Sequence, residues 1–243
     1  MRHFALTETK TKNMKTIGLI GGMSWESSAV YYKILNQKVN EILGGVHSCK
    51  CLMISVDFGE IAKLQHEGNW NELAEMMIDS AQKLEKGGAD FIVLCTNTMH
   101  KLSEIIEKNI NIPLLHIADV TAEAIKETKI KKVGLLGTKF TMEQEFIKDR
   151  LINKHNIETI IPNEEQRNII HNIIYNELVK GIINDESRKI YMEIIDDLKS
   201  KGAEGIILGC TEIMLLVNKT NTKNIIFDTT EIHALKAIEY ANK

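Results

Sequence analysis

The sequence predicts an α/β protein made of two pseudo-symmetric, doubly wound lobes, each with a parallel sheet flanked by helices. Three observations lead there. Short apolar runs alternate along the chain with amphipathic stretches of helical length. The runs are apolar at nearly every position, as strands are when helices cover both faces of a parallel sheet. Two pairs of segments also repeat in the same order and at nearly the same offset. Residues 15–21 (KTIGLIG) match 131–137 (KKVGLLG), and 88–92 (GADFI) match 202–206 (GAEGI). Two matched pairs in register point to a duplicated α/β unit.

Residues 1–13 (MRHFALTETKTKN) are polar and without period, and they read as a disordered leader. Pattern begins at Met14. Strands are expected at 15–21, 51–56, 90–95, 113–117, 132–137, 157–161, 204–209 and 225–228. Helices are expected over 26–43, 71–87, 141–153, 164–182 and 186–201, where apolar residues recur at i, i+3, i+4 and i+7. This divides the chain into an N-terminal lobe over 14–118 and a C-terminal lobe over 119–228, with the crossover near 118–130. A C-terminal helix over 229–243 is expected to fold back on the first lobe.

Composition removes several classes of function. Lys and Arg number 30 against 33 Asp and Glu, a formal charge of −3, which gives no basic face for nucleic acid. No apolar run approaches the ~18 residues that cross a bilayer. Four cysteines and two prolines do not describe a disulfide-stapled secreted domain, so a reducing cytoplasm is the expected setting.

Ligands of open α/β sheets bind beyond the carboxyl ends of the strands. Two lobes facing one another would put chemistry on both faces of a small molecule. Extending the second repeat sets Leu94-Cys95-Thr96-Asn97-Thr98 against Leu208-Gly209-Cys210-Thr211-Glu212. Each is a small polar segment between a buried strand and a helix expected to start at Thr98 or Glu212. Free backbone N–H groups there would lower a cysteine's pKa from ~8.5 towards neutrality. As a buried core thiol Cys210 would be inert, but a turn rich in Thr and Glu is a poor place for packing alone.

The segments GLIGGMSWES (18–27), LCTNTMH (94–100), LLGTKFTM (135–142) and GCTEI (209–213) together resemble the aspartate/glutamate racemase family, closest to its amino-acid racemase branch. The resemblance covers 14–243. It implies two pseudo-symmetric lobes, a small amino-acid substrate and no cofactor, neither pyridoxal phosphate nor metal. It also implies a homodimer. Two cysteines, one per lobe, would remove and return the α-proton on opposite faces. Here the chain departs from the pattern. Thr96 stands where the family has the first cysteine, and Cys95 lies one position early, a slip that turns a strand side chain to the other face. Thr96 and Cys210 are therefore the expected catalytic pair, with Cys210 the one strong base. The resemblance then implies deprotonation of L-substrates, with slow or absent reaction from the D side.

Asn97, Thr98 and Thr211 could bind an α-carboxylate and steady the enediolate-like charge that develops, or could serve as helix caps. Gly21-Gly22 lacks dinucleotide-binding spacing, and these glycines could let the backbone at Met23 approach a substrate. Gln65 resembles a polar position near the substrate. Glu212 could orient the thiol or the substrate ammonium, or merely begin a helix. His100 could assist a base or pack. No Arg stands in 55–65 to grip a distal carboxylate; Lys180 or Lys139 could supply that charge, though each also fits a solvated helix face. Cys49-x-Cys51 lacks zinc-site spacing, and His66, His155, His171 and His233 show no ligand spacing, so no metal is expected. Two other readings remain: a single-thiol decarboxylase of malonates from the same superfamily, and a non-catalytic amino-acid-binding protein.

Overall fold

The structure is a computed structural model that describes residues 14–243; the expectation for residues 1–13 lies outside the described residues. In chain order the strands are β1 (Ile17–Gly21), β2 (Cys51–Ser55), β3 (Phe91–Leu94), β4 (Lys132–Gly137), β5 (Glu158–Ile160), β6 (Gly205–Gly209) and β7 (Ile226–Asp228). The helices are α1 (Trp25–Leu43), α2 (Phe58–Glu67), α3 (Trp70–Lys86), α4 (Ser103–Glu107), α5 (Ile117–Glu127), α6 (Lys139–Glu143), α7 (Glu145–Asp149), α8 (Glu164–Asn176), α9 (Asp185–Ser200) and α10 (Thr229–Ala241). The chain forms two compact units. The first takes residues 14–95, 102–115 and 233–243; the second takes 96–101 and 116–232.

The first unit holds a parallel sheet in the order β2-β1-β3. Ile17 and Leu19 of β1 and Phe91, Val93 and Cys95 at β3 share a core with Tyr31, Leu35 and Val39 of α1. Ala234, Ala237, Ile238 and Ala241 complete that core, so the last three turns of α10 cover the face that α1 covers. His233 fastens this helix. Its Nδ1 accepts the Tyr31 hydroxyl at 2.9 Å, and its Nε2–H donates to the Leu115 carbonyl at 2.8 Å.

The second unit holds a parallel sheet in the order β5-β4-β6-β7. Alternation along β4 and β6 divides its core in two. Leu136, Ile206 and Leu208 pack with Ile170, Ile173 and Ile174 of α8 and Tyr191, Ile194 and Leu198 of α9. Val133, Leu135 and Ile207 pack on the opposite face with Ile117, Ala122 and Ile125 of α5, and with Ile147 and Leu151. Helices thus flank both faces, as a doubly wound sheet requires.

The repeat is visible atom by atom. The centre strand of each sheet, β1 or β4, has the same kinds of neighbour on either side, β2 and β3 or β5 and β6. Gly88 and Gly202, the first residues of the GA-acid-x-I matches, both have φ +94. In each copy the following acid caps the start of the centre strand. Asp90 accepts the Thr16 N–H at 2.6 Å and returns its own N–H to the Thr16 carbonyl at 2.8 Å. Glu204 accepts the Lys132 N–H at 3.2 Å and returns its N–H to the Lys132 carbonyl at 2.9 Å.

Several element expectations need correction. Residues 113–117 are not a strand. Only a single bridge joins Ile92 to Leu114, because Pro113 has no N–H for a ladder and His116 already caps α5, its Nδ1 accepting the Ala118 N–H at 3.1 Å. The 118–130 crossover is largely that helix. The 141–153 helix is broken. Gln144 is extended, separating α6 from α7, and the chain then widens into a π turn over Arg150–Lys154. That turn gathers Arg150, Lys154 and His155 around the Asp119 carboxylate at 2.6–2.8 Å. The 164–182 helix stops at Asn176, and Gly181 in the left-handed region ends a short 3-10 turn beyond it. Among the described residues, no helix is long and apolar enough to cross a membrane.

Candidate active site

β6 delivers Cys210. Gly137 and Gly209, which end β4 and β6, lie so close that a Cβ on Gly137 would sit 2.9 Å from the Gly209 carbonyl oxygen. The strand is buried to its last residue, and Cys210 is the first side chain to reach partial exposure. Its S–H donates to Glu212 Oε2 at 3.0 Å, and the Thr211 hydroxyl donates to the same oxygen at 2.7 Å. Thr211 and Glu212 are both buried.

The electrostatics reverse the expectation of an acidified thiol. Burial, the Glu212 charge and the hydrogen bond to Glu212 hold Cys210 well above the ordinary thiol range. Backbone N–H groups of Glu212 and Thr211 pull the other way and are outweighed. Beyond Glu212 the chain makes only a 3-10 turn over Ile213–Leu215, too short to supply a helix dipole. The resting pair is therefore a protonated thiol held on a buried carboxylate.

Aromatic residues from α8 and α9, which the sequence does not single out, surround this pair. Burial, reinforced by the charges of Cys210 and Glu212, pushes the Tyr175 phenol up to about 12. Tyr191 is raised by the same causes and by Glu177. His171 lies against Tyr175, ring centroids 4.6 Å apart, and its Nδ1 accepts the Lys139 N–H at 3.3 Å. In the sequence these residues look like ordinary apolar-face positions of helices; no motif marks them.

Residues 96–101 belong to the same unit. Thr96 is half-exposed, the first side chain after β3 and Cys95 to be so. Asn97 Nδ2 donates to the Thr229 hydroxyl at 3.0 Å, which donates to the Leu208 carbonyl at 2.8 Å. This ties the residue after Thr96 to β6, the strand that leads into Cys210. The Thr98 hydroxyl lies 3.3 Å from those of Thr138 and Thr141, and a Cβ on Gly209 would meet the Thr141 methyl at 3.2 Å. His100 Nδ1–H donates to the Thr96 carbonyl at 2.8 Å, and Nε2 accepts the Ile117 N–H at 3.1 Å, which fixes its tautomer. The segment around Thr96 is thus anchored to the ends of β4 and β6 and to the start of α5.

Cys95 is elsewhere. It is fully buried in the core of the first unit, where burial pushes its thiol far up. Met23 and Gln65 also belong to the first unit and are buried. The glycine before Met23 has a packing cause: Gly22, at φ +90, lies against the Val56 backbone where no side chain fits, and its N–H donates to Ser28 Oγ at 2.7 Å. Lys139 is half-exposed and Lys180 exposed. Among the described residues, no group of three His, Cys, Asp or Glu is placed to hold a metal ion.

Known proteins resemble the chain along most of its length. The Asp/Glu/Hydantoin racemase family matches residues 20–237. A candidate Asp/Glu racemase from Yersinia pestis is 51% identical in its crystal structure, with a TM-score of 0.88 over 95% of this chain and 100% of that one. An aspartate racemase homologue from Pyrococcus horikoshii OT3 is 33% identical, with a TM-score of 0.83 over the same shares. A broad specificity amino-acid racemase of Bacillus subtilis is 28% identical over 66% of this chain and 68% of its own length. With a match that runs from β1 into α10, the chain belongs to the Asp/Glu/Hydantoin racemase family.

Proposed function

We propose that the protein is a cofactor-independent racemase of small amino acids, aspartate and glutamate foremost, in which Cys210 and Thr96 serve opposite faces of the α-carbon. The observation that carries this is the Cys210 Sγ–Glu212 Oε2 hydrogen bond of 3.0 Å at the end of a buried strand. A thiol kept protonated in the resting site must pass its proton on before it can act as a base, and Glu212 is the acceptor already in contact with it. The thiolate then takes the α-proton of the L-substrate. The electrons move into the carboxylate as an enediolate, which N–H and O–H donors of Thr211, Asn97 and Thr98 would steady. On the other face Thr96, or a water on its hydroxyl, returns a proton to give the D-enantiomer. Cys210, now carrying the α-proton, is a thiol again; Glu212 releases the proton it received to solvent, Thr96 or its water takes one back from solvent, and the resting pair is restored.

Thr96 is a weak partner because a hydroxyl has no thiol-like pKa. Since the enantiomers have equal free energy, kcat/KM must be the same in both directions. The asymmetry falls instead on partitioning: Cys210 returns a proton to the L face more often than Thr96 delivers one to the D face. The enzyme should exchange the α-hydrogen of L-substrates faster than it inverts them.

The test is proton NMR in D2O without pyridoxal phosphate, on L- and D-aspartate, L- and D-glutamate and a panel of neutral amino acids. Loss of the α-proton signal from an L-substrate, with slower appearance of the D-form by chiral chromatography, is the expected result. Absence of exchange with every amino acid, or carbon dioxide release from malonates instead, overturns the reading.

A further inference from the structure

In the first unit a pair of cysteines stands at the approach to β2. Cys51 begins β2, Cys49 lies two residues before it, and both pack on the core that β1 and α1 share. β2 is an edge strand of the first unit. Cys49 is buried, and its backbone N–H is fixed on Asn36 Oδ1 at 3.0 Å. Its S–H donates to the Lys50 carbonyl oxygen at 3.7 Å, and its sulfur interacts with that of Cys51. Cys51 is half-exposed and lines an open pocket of about 410 Å3 with Trp25, Ala29, Tyr32 and Met53. Trp25 and Tyr32 are 67% and 52% exposed, so the pocket opens on apolar walls.

The two sulfurs are unequal. The S–H of Cys49 stabilises a Cys51 thiolate and, against burial, brings Cys51 down to about 7. The same contact, with burial, pushes Cys49 far above the ordinary thiol range. Cys51, the sulfur with thiolate character, lines the pocket, and Cys49, the sulfur that keeps its proton, is buried. Cys95 is sealed in the core and Cys210 is committed to Glu212, so neither duplicates this arrangement.

We propose that Cys51 and Cys49 form a peroxide-sensitive dithiol, a modification site separate from the Cys210 turn, with Cys51 as the attacking sulfur and Cys49 as the resolving one. The Cys51 thiolate attacks the terminal oxygen of a hydroperoxide. The O–O bond breaks, the departing oxygen takes a proton as water or an alcohol, and Cys51 becomes a sulfenic acid. The Cys49 sulfur then attacks the Cys51 sulfur. The S–S bond forms, the sulfenic hydroxyl leaves with the Cys49 proton as water, and the dithiol has given two electrons to the peroxide. Two residues of extended chain span about 6.4–6.8 Å. That is the long end of the Cα separation a disulfide bridges, so the bond should be strained and readily reopened by small thiols.

The experiment treats the folded protein with hydrogen peroxide, and separately with cumene hydroperoxide, in the presence of dimedone, and maps the cysteines by peptide mass spectrometry. Wild type should give the Cys49–Cys51 disulfide. Cys49→Ser, which keeps a hydrogen-bond donor but no resolving thiol, should give the dimedone adduct at Cys51, and Cys51→Ser should give neither. A faster reaction with cumene hydroperoxide would assign the pocket to organic hydroperoxides, whereas equal rates would assign it to peroxides in general. Alkylation of unmodified wild type at pH 7 should be several-fold faster at Cys51 than in the unfolded chain. Cys49→Ala should move the alkylation midpoint of Cys51 up towards the ordinary ~8.5. Reactivity of Cys51 no greater than in the unfolded chain overturns the proposal. So does peroxide treatment that leaves Cys49 and Cys51 unlinked, or that links either of them to Cys95 or Cys210.

Discussion

Glu212 decides how Cys210 behaves. Its carboxylate accepts both the thiol and the Thr211 hydroxyl on a single oxygen, so one substitution separates two effects. In Glu212→Gln the charge that raises the Cys210 thiol is gone, and iodoacetamide should alkylate Cys210 faster than in wild type. The proposed proton acceptor is also gone, and kcat for L-substrate exchange should fall about 10²-fold, the usual scale for one general acid–base group. A purely structural Glu212 would lower both together. Thr96→Cys is the complementary change: a thiol there should raise inversion relative to exchange, measured as D-product formed per α-proton lost. Sequence alone placed Cys210 at the end of a buried strand but gave the wrong sign for its pKa. The sign depends on where the Glu212 side chain turns, and a two-residue spacing does not specify that. Tyr175, Tyr191 and Thr229 escaped notice for a related reason, since their roles arise from tertiary contacts with the turn.

At the scale of elements, the duplication was readable because matched residues of the repeated segments share physical tasks. Gly88 and Gly202 supply φ +94, and Asp90 and Glu204 cap the neighbouring centre strand. The broken stretch 139–154 was not readable, because apolar spacing continues across Gln144 while the backbone there is extended. The β1–α1 turn gives the sharpest test at this scale. Gly22→Ala adds a methyl that meets the Val56 backbone, at a φ that L-residues rarely adopt. Both effects disfavour the native state, so urea denaturation should show a loss of at least about 2 kcal/mol. Gly45→Ala, at φ +56 but in open space, should lose about 1 kcal/mol.

For the whole molecule, acid sensitivity should be governed by His233 before any ion pair. Burial lowers its pKa from 6.5 to about 4, against the hydrogen bond to Leu115. The unfolded chain therefore binds a proton that the folded chain refuses between those values. Stability is complete above about pH 6.5 and declines as pH falls towards 4, by up to about 3 kcal/mol. Asp119 contributes only at still lower pH. Burial alone would raise its carboxyl, but hydrogen bonds from Arg150, His155 and Lys154 hold it well below the usual carboxylate range. Denaturation midpoints at pH 7, 6 and 5 should thus fall in wild type and flatten in His233→Gln, whose side chain does not titrate.

Parallel time courses of wild type and Cys210→Ala in D2O test the proposal that a single strong base, Cys210, works opposite a hydroxyl at Thr96. Wild type with L-aspartate or L-glutamate should lose the α-proton signal several times faster than D-product appears, and Cys210→Ala should abolish both. Equal rates of α-proton loss and D-product formation in wild type would mean that every intermediate is protonated from the Thr96 side, which a weak partner there does not allow. Exchange that survives in Cys210→Ala would contradict the account outright.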